Sequence, residues 1–153
     1  ITVLDTAWDS KGRWMSVLGP CLPYVDVFLP SIDEAKALSG KENLDEIAEC
    51  FFDHGVKHVA IKNGRHGCYL RETRDSEPLL LPTYTKAPRV DTTGAGDSFC
   101  AGFLTGLAKG LSFEECGKFA NAVGTFCVGA KGATTGIRPY EEIREFMRTH
   151  EPG

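Results

Sequence analysis

The sequence lacks most features that would name a chemistry at once. It has no Gly-x-x-x-x-Gly-Lys-Ser/Thr run, which excludes an ordinary P-loop. Its six cysteines never pair as Cys-x-x-Cys, and its four histidines fall at no ligand spacing, so a zinc site and a disulfide framework are both poor readings. Most of the cysteines sit in apolar periodic stretches, as buried free thiols of a reducing, cytoplasmic compartment do. A net charge of -4 leaves no basic footprint for nucleic acid. No apolar run approaches the roughly 20 residues of a membrane helix, so no membrane partner is expected either. The chain opens on Ile1-Thr2-Val3-Leu4, which reads as a strand rather than a secretory leader. An abrupt start without Met inside a strand is expected of a piece of a longer chain.

What is present is ordinary in bulk and unusual in one place. Apolar and charged fractions of 42% and 25% are those of a globular protein, and 153 residues fit one domain. The unusual place is Asp91-Thr92-Thr93-Gly94-Ala95-Gly96-Asp97-Ser98-Phe99. It lies between an extended Pro88-Arg89-Val90 and a helical pattern over Ser98–Lys109. A small-residue loop that opens a helix points several N–H groups at one spot, and the helix dipole adds partial positive charge there. Such a spot suits a phosphate. An acid among these donors would repel that ligand, unless it takes a proton from the group that attacks the phosphate. Phosphoryl transfer with Asp97 as base is one reading, the N–H groups of Gly94, Ala95, Gly96 and Asp97 holding the developing charge. An Asp capping a helix after a glycine turn is the other, and the residues alone leave the two even. Gly94-x-Gly96 without a third glycine is a poor dinucleotide fingerprint.

Along the chain, Ile1–Thr6 reads as a buried strand ending at Asp5, Trp8–Arg13 as a polar loop and Trp14–Leu22 as a short helix stopped by Pro20 and Pro23. Val25–Leu29 follows as a strand, which predicts a parallel βαβ unit. Ser31-x-x-Glu34 has the form of a capping box, repeated at Asn43-x-x-Glu46 and Ser112-x-x-Glu115. Asn43–His54 is an amphipathic helix closed by Gly55. Val56–Lys62, a turn over Asn63–Gly67 and Cys68–Arg71 predict a hairpin. Arg71–Pro78 is a polar loop, Leu79–Leu81 a short strand and Thr83–Asp91 an extended approach to the organising loop. Gly102 and Gly106 lie within the Ser98–Lys109 helix, where each costs about 1 kcal/mol relative to Ala, which predicts a close backbone neighbour on that face. Ser112 opens a largely buried helix running to about Gly129, with Asn121 as a partly exposed polar residue. A second small-residue loop, Gly129–Gly136, precedes a terminal helix over Tyr140–Met147.

Asp-Thr-Thr-Gly-Ala-Gly-Asp-Ser-Phe followed by Cys100-Ala101-Gly102-Phe103 closely resembles the C-terminal signature of the ribokinase-like (PfkB) carbohydrate kinases. The resemblance runs from Val3 to about Phe146 and covers only the C-terminal half of the family's length. It implies that residues 1–153 are the nucleotide-binding half of a kinase domain. The fold class expected is α/β: a three-layer α/β/α arrangement with a mostly parallel, doubly wound sheet and an antiparallel hairpin. The implied reaction is transfer of the ATP γ-phosphate to a sugar hydroxyl, with Asp97 as base and Gly94, Ala95 and Gly96 around the transferring group. Glu34 falls where the family's Asn-x-x-Glu motif organises Mg2+ and phosphates through water, with Ser31 in place of Asn; capping is the better reading of those residues alone, and Glu34 can serve both. Lys62-x-Gly64-x-x-Gly67 matches a nucleotide-bordering Thr-x-Gly-x-x-Gly loop with Lys for Thr. That Lys either reaches the phosphates or is a solvated strand end. Asn121 takes a place near the adenine. A potassium ion is implied between Asp91 and Thr93 on one side and the carbonyls of Cys127, Ala130 and Gly132 on the other, while Gly136 stands where the family can place a hydroxyl ligand. Two further readings stay open: a non-catalytic nucleotide-binding module that needs a partner chain, and a nucleoside or vitamin kinase of the same fold. A half-domain with an unpaired sheet edge would also favour self-association into a homo-oligomer.

Overall fold

The computed structural model describes residues 1–84 and 87–153; Thr85 and Lys86, part of the expected extended approach, lie outside the described residues. The chain divides into two compact units. The first comprises residues 1–64 and 69–80, the second residues 65–68 and 81–153.

The first unit is built on the sheet. Its strands are β1 (Val3–Leu4), β2 (Val27–Phe28), β3 (His58–Lys62) and, except for Cys68 and Leu81, which are counted with the second unit, β4 (Cys68–Arg71) and β5 (Leu79–Leu81). Among the described residues they lie in the order β1-β2-β3-β4-β5. β1 pairs parallel with β2 through Val3↔Val27 and Leu4↔Phe28, and β2 parallel with β3 through Val27↔His58 and Phe28↔Val59. Helix α1 (Met15–Leu18) lies on the first crossover; α2 (Ile32–Ser39) and α3 (Leu44–Asp53) lie on the second. Five residues, 63–67, join the neighbouring strands β3 and β4. A link that short closes an antiparallel pair, since parallel strands need a crossover of about a dozen residues or more.

Sequence accounts for most of these elements. In α2, Ser31 accepts from the Glu34 N–H and Glu34 returns its carboxylate to the Ser31 N–H, so the expected box is formed. The Asn43 side chain accepts from the N–H groups of Asp45 and Glu46 and opens α3. Ile47, Ala48 and Phe51 then face inward, fully buried, in one core with Phe28, Val59, Ile61 and Tyr69. Two expectations fail at the start of the chain. The strand over Ile1–Thr6 shrinks to two half-buried residues, and Ile1 stays 90% exposed, because β1 is the first strand of the sheet and has a partner on one side. The helix over Trp14–Leu22 holds for four residues and gives way to a 3-10 turn at Leu22–Tyr24. Pro20 has no N–H to continue a helix and restricts the residue before it.

The second unit is helical: α4 (Ala95–Ala108), α5 (Phe113–Val128) and α6 (Tyr140–Thr149). Ser112 and Glu115 form the reciprocal cap of α5. The two interior glycines of α4 meet α5 as expected. A Cβ on Gly102 would lie 2.9 Å from Ala120 Cα, and one on Gly106 would lie 2.8 Å from Cys116 Sγ and 3.1 Å from Cys116 Cα. Phe119, Ala122, Val123 and Ile143 close the core between α5 and α6, with Phe146 and Met147 packed on it. Buried thiols fit this picture: Cys68, Cys100, Cys116 and Cys127 are buried, although Cys21 is exposed and Cys50 half-buried. Burial pushes the Cys116 thiol up to about 11.

The α4–α5 contact sets a test. Gly106→Val should destabilise the protein by about 2 kcal/mol through overpacking, a fall in Tm of roughly 5 °C. Leu104→Ala, on the exposed face of the same helix, should change stability by less than about 0.5 kcal/mol.

Candidate functional site

The loop before α4 is held in place from three directions, all within the second unit. Its entry is strapped to the end of α5: the N–H groups of Val90 and Asp91 both donate to the Val128 carbonyl, at 2.7 and 3.3 Å. Asp91 then uses both carboxylate oxygens. Oδ1 accepts from the Thr93 N–H and Oδ2 from the Gly132 N–H, each at 2.9 Å. One side chain thereby joins the loop at 91–94 to the loop after α5. These backbone bonds from Thr93 and Gly132, with the Thr93 hydroxyl adding to them, hold the Asp91 carboxyl below the usual carboxylate range. The third tie is Cys127. Its buried thiol lies 3.4 Å from the Thr93 carbonyl and 3.2 Å from the Ala133 carbonyl, and its one hydrogen is shared between the two loops.

Gly94 sits where these ties meet. It is the N-cap of α4 with φ 76°, and a Cβ there would lie 2.7 Å from Ala133 Cβ and 2.8 Å from Ala133 Cα. Both the left-handed backbone and the space require glycine. The helix begins at Ala95, three residues before the expected Ser98, because the glycines fit the first turn as well as the loop. Asp97 is therefore in that first turn, exposed, and not in a loop ahead of it. Ala95 N–H donates to the Thr92 carbonyl at 3.2 Å. The N–H groups of Gly96 and Asp97 have no partner within the helix, as at any helix start. The loop and first turn thus present oriented N–H groups, the positive end of a 14-residue helix and one exposed carboxylate together.

The cation expected beside this loop finds donors of a fitting type. Carbonyl oxygens of Thr93 and Ala133 and the Asp91 carboxylate come from the two joined loops, and carbonyl oxygens suit potassium; the Cys127 carbonyl, at the end of α5, already accepts from the Gly129 and Ala130 N–H groups. Among the described residues no group of three or more His, Cys, Asp or Glu is placed to hold a metal. Gly136, standing where the family can place a hydroxyl ligand, offers none, and a Cβ there would lie 2.0 Å from the Phe126 carbonyl oxygen.

Asn121 departs from the partly exposed reading. It is 5% exposed, and its amide donates to the carbonyls of Leu81 at 3.0 Å and Pro82 at 3.3 Å, with the Cys68 sulfur at 3.5 Å. Burial, opposed by that Asn121 contact, pushes the Cys68 thiol up to about 12. Gly67 presses on the same strand end: φ is 84°, and a Cβ would lie 1.9 Å from the Leu81 carbonyl oxygen. Gly64 has φ 55° and open space around it.

A second polar group forms within the first unit at the carboxyl ends of β1 and β3 and the start of α2. Lys62 is not a solvated strand end: its amino group lies 2.6 Å from Asp5 Oδ1, and its side chain is 11% exposed. Glu34, 8% exposed, accepts from the Ser31 N–H and the Thr6 hydroxyl through one oxygen, both at 2.9 Å. Asp5 and Thr6 were not singled out in the sequence. Their position, directly after an apolar strand start, is the signal that could have marked them, since ligands of open α/β sheets gather at the carboxyl ends of strands.

Asp91 yields a pH prediction. Its folded pKa lies below the unfolded value of roughly 3.9, so its ionisation stabilises the fold above that value and the gain is lost as pH falls through the folded pKa. The stability difference between the protein and Asp91→Asn should be largest near neutral pH and narrow below about pH 4 in denaturant titrations. A difference independent of pH would show that Asp91 acts by packing alone.

The chain is similar to known proteins over most of its length. A model of the pfkB family carbohydrate kinases matches residues 1–139. A sugar kinase of Archaeoglobus fulgidus, itself uncharacterised, is 41% identical over 133 residues, 87% of this chain and 52% of its own. A 2-dehydro-3-deoxygluconokinase of Bacillus subtilis is 32% identical over 145 residues, 95% of this chain and 44% of its own. The ribokinase of Thermotoga maritima superposes with a TM-score of 0.83 at 31% identity, over 97% of this chain and 49% of that one. The ribokinase of Arabidopsis thaliana, complexed with ribose and ATP, gives 0.81 at 30% identity over 94% and 46%. The chain spans about half the length of the curated relatives it matches. The fold is ribokinase-like, three-layer α/β/α with a mostly parallel sheet. The chain belongs to the pfkB family of carbohydrate kinases.

Proposed function

We propose that this chain is the nucleotide-binding part of an ATP-dependent kinase that phosphorylates a sugar hydroxyl. The observation that carries the reading is the start of α4: oriented N–H groups and a helix N-terminus beside one exposed carboxylate, Asp97, in a loop fixed by Asp91, Cys127 and Gly94. Bound Mg-ATP supplies the phosphoryl group and the divalent charge that neutralises it. The amides at Gly94, Ala95, Gly96 and Asp97 hold the charge that develops on the transferring group, a role suited to donors already fixed before the reaction. Asp97 accepts the proton of the attacking hydroxyl. Glu34 keeps one carboxylate oxygen outside its capping bonds, and through it would help hold the water of a bound magnesium ion. Gly64 and Gly67 border the nucleotide, and Asn121 acts beside the adenine through the strand end that it fixes. Lys62 contributes its charge through the pair with Asp5. Asp91 and Thr93 on one side and the carbonyls of Cys127, Ala130 and Gly132 on the other would hold a potassium ion, whose charge would help orient the loop amides.

The relatives include kinases of a sugar acid, of ribose and of nucleosides, so the acceptor is set out here only as an alcohol on a sugar. A second reading has one observation in its favour. The chain covers about half of its relatives, as a nucleotide-binding module that works only beside further polypeptide would.

Phosphoryl transfer from ATP to a panel of sugars, sugar acids and nucleosides tests both. Asp97→Asn should lower turnover by more than about 10²-fold while Mg-ADP affinity changes little. A near-normal rate for Asp97→Asn would overturn the assignment of the base. Nucleotide binding without transfer to any acceptor would select the module.

A further inference from the structure

The capping box at the start of α2 carries more than a cap needs. The like box at Ser112 and Glu115 opens α5 with Glu115 exposed, its Oε2 returned to the N–H and hydroxyl of Ser112. At α2 the Glu34 carboxylate is buried, 8% exposed. Its Oε2 takes the Ser31 N–H at 2.9 Å and also a bond from outside the helix, the Thr6 hydroxyl at 2.9 Å. Thr6 lies 28 residues earlier in the chain. Capping accounts for neither the burial nor the bond from Thr6.

That bond is itself backed. Thr6 N–H donates to Asp5 Oδ1 at 2.7 Å, and the Lys62 ammonium donates to the same oxygen at 2.6 Å. Lys62 acts through its backbone as well: its N–H donates to the Pro30 carbonyl at 2.9 Å, and it forms a parallel bridge with Ser31. The bonds therefore close a ring. It runs from the Lys62 backbone to the start of α2, from Ser31 to Glu34, on to the Thr6 hydroxyl, from Thr6 N–H to Asp5, and back to the Lys62 side chain. The ring lies within the first unit, at the carboxyl ends of β1 and β3, where ligands of open α/β sheets gather. The Lys62 and Asp5 side chains are 11% and 28% exposed, and desolvation offsets much of the attraction in a pair so far out of water. What the pair supplies is direction. Arms from β1 and from β3 meet on one Glu34 oxygen and so aim the other.

We propose that Thr6, Asp5 and Lys62 are positioning residues that set the Glu34 carboxylate toward a metal–nucleotide complex. The inference rests on the reading of Glu34 given above, as a carboxylate that addresses the water of a bound magnesium ion. Such a carboxylate has to hold one orientation. Residues that fix it from behind govern metal affinity by about 10–100-fold without touching the metal. Thr6 acts through its hydroxyl, and Lys62 through its charge on Asp5. All of their effect on the metal passes through Glu34, which is what separates the relay from a general contribution to folding.

A double-mutant cycle on the full chain tests this, read as Mg-ADP affinity by calorimetry and repeated with ADP in EDTA. Glu34→Gln and Thr6→Val should each weaken Mg-ADP binding about tenfold or more and leave metal-free ADP binding unchanged. Lys62→Met should act in the same direction. Thr6→Ser keeps the hydroxyl and should restore most of the affinity, which separates loss of the bond from loss of the fold. In a Glu34→Gln background, Thr6→Val should cost nothing further, because residues of one network do not act additively. An unchanged Mg-ADP affinity in Thr6→Val, or a loss that adds in full to that of Glu34→Gln, would overturn the relay and leave the role of Glu34 standing. An unchanged affinity in Glu34→Gln, or no Mg-ADP binding by the unaltered chain, would overturn the relay together with the reading it rests on.

Discussion

The Asp91 carboxylate is the contact on which the rest of the candidate site depends. It ties the Thr93 and Gly132 amides together, and so fixes two loops that are forty residues apart in sequence. Each loop consists of small residues with little side chain to bury, so neither would hold one conformation by packing. With both oxygens engaged, the carboxylate replaces that missing core. Gly94 can then approach Ala133 to a distance that no other residue would allow, and α4 starts with its amides aimed in a set direction. The Cys127 thiol adds a weaker tie between the same two loops.

The helices behind the loop supply rigidity. Gly102 and Gly106 give up helix propensity, about 1 kcal/mol each relative to Ala, and in return α4 lies against α5 with Ala120 and Cys116 directly beneath. α5 carries on its other end the Val128 carbonyl that holds the loop's entry, and beyond it the loop containing Gly132. Position of the amides thus passes from helix packing to loop geometry without any long polar side chain. Preorganisation of that kind is what a site for developing negative charge needs, because its dipoles do not have to reorient during the reaction.

Much of this was legible in the sequence, and the parts that were not have physical reasons. The capping boxes of α2 and α5 are local, set by residues three apart, and are legible in the sequence; Asn43 also caps α3, but through its own side chain to Asp45 and Glu46 rather than as the expected reciprocal box. The close approach at Gly102 and Gly106 was legible because glycine is costly inside a helix and needs a cause. The burial of Asn121 was not, since its partners at Leu81 and Pro82 are about forty residues away. Lys62 likewise gave no sign of its pairing with Asp5, fifty-seven residues earlier. Helix α4 was placed three residues late because Gly94-Ala95-Gly96 reads as loop by propensity, and only the contact with Ala133 makes Gly94 the cap. At the start of the chain the apolar pattern of Ile1–Thr6 matched a buried strand, but a pattern records which face is apolar and not whether a neighbouring strand covers it.

The central claim is that the start of α4 is a formed nucleotide-phosphate site. Thermal unfolding with and without Mg-ADP, in potassium and then in a bulky monovalent cation, tests it most directly. Ligand at 100 times its dissociation constant should stabilise the protein by about 2.7 kcal/mol, a rise in Tm of roughly 7 °C for a chain of this size. The rise should shrink when potassium is replaced. No rise at saturating Mg-ADP in potassium would contradict the account: the loop ordered by Asp91 would then hold its shape without binding the phosphates that shape was taken to serve.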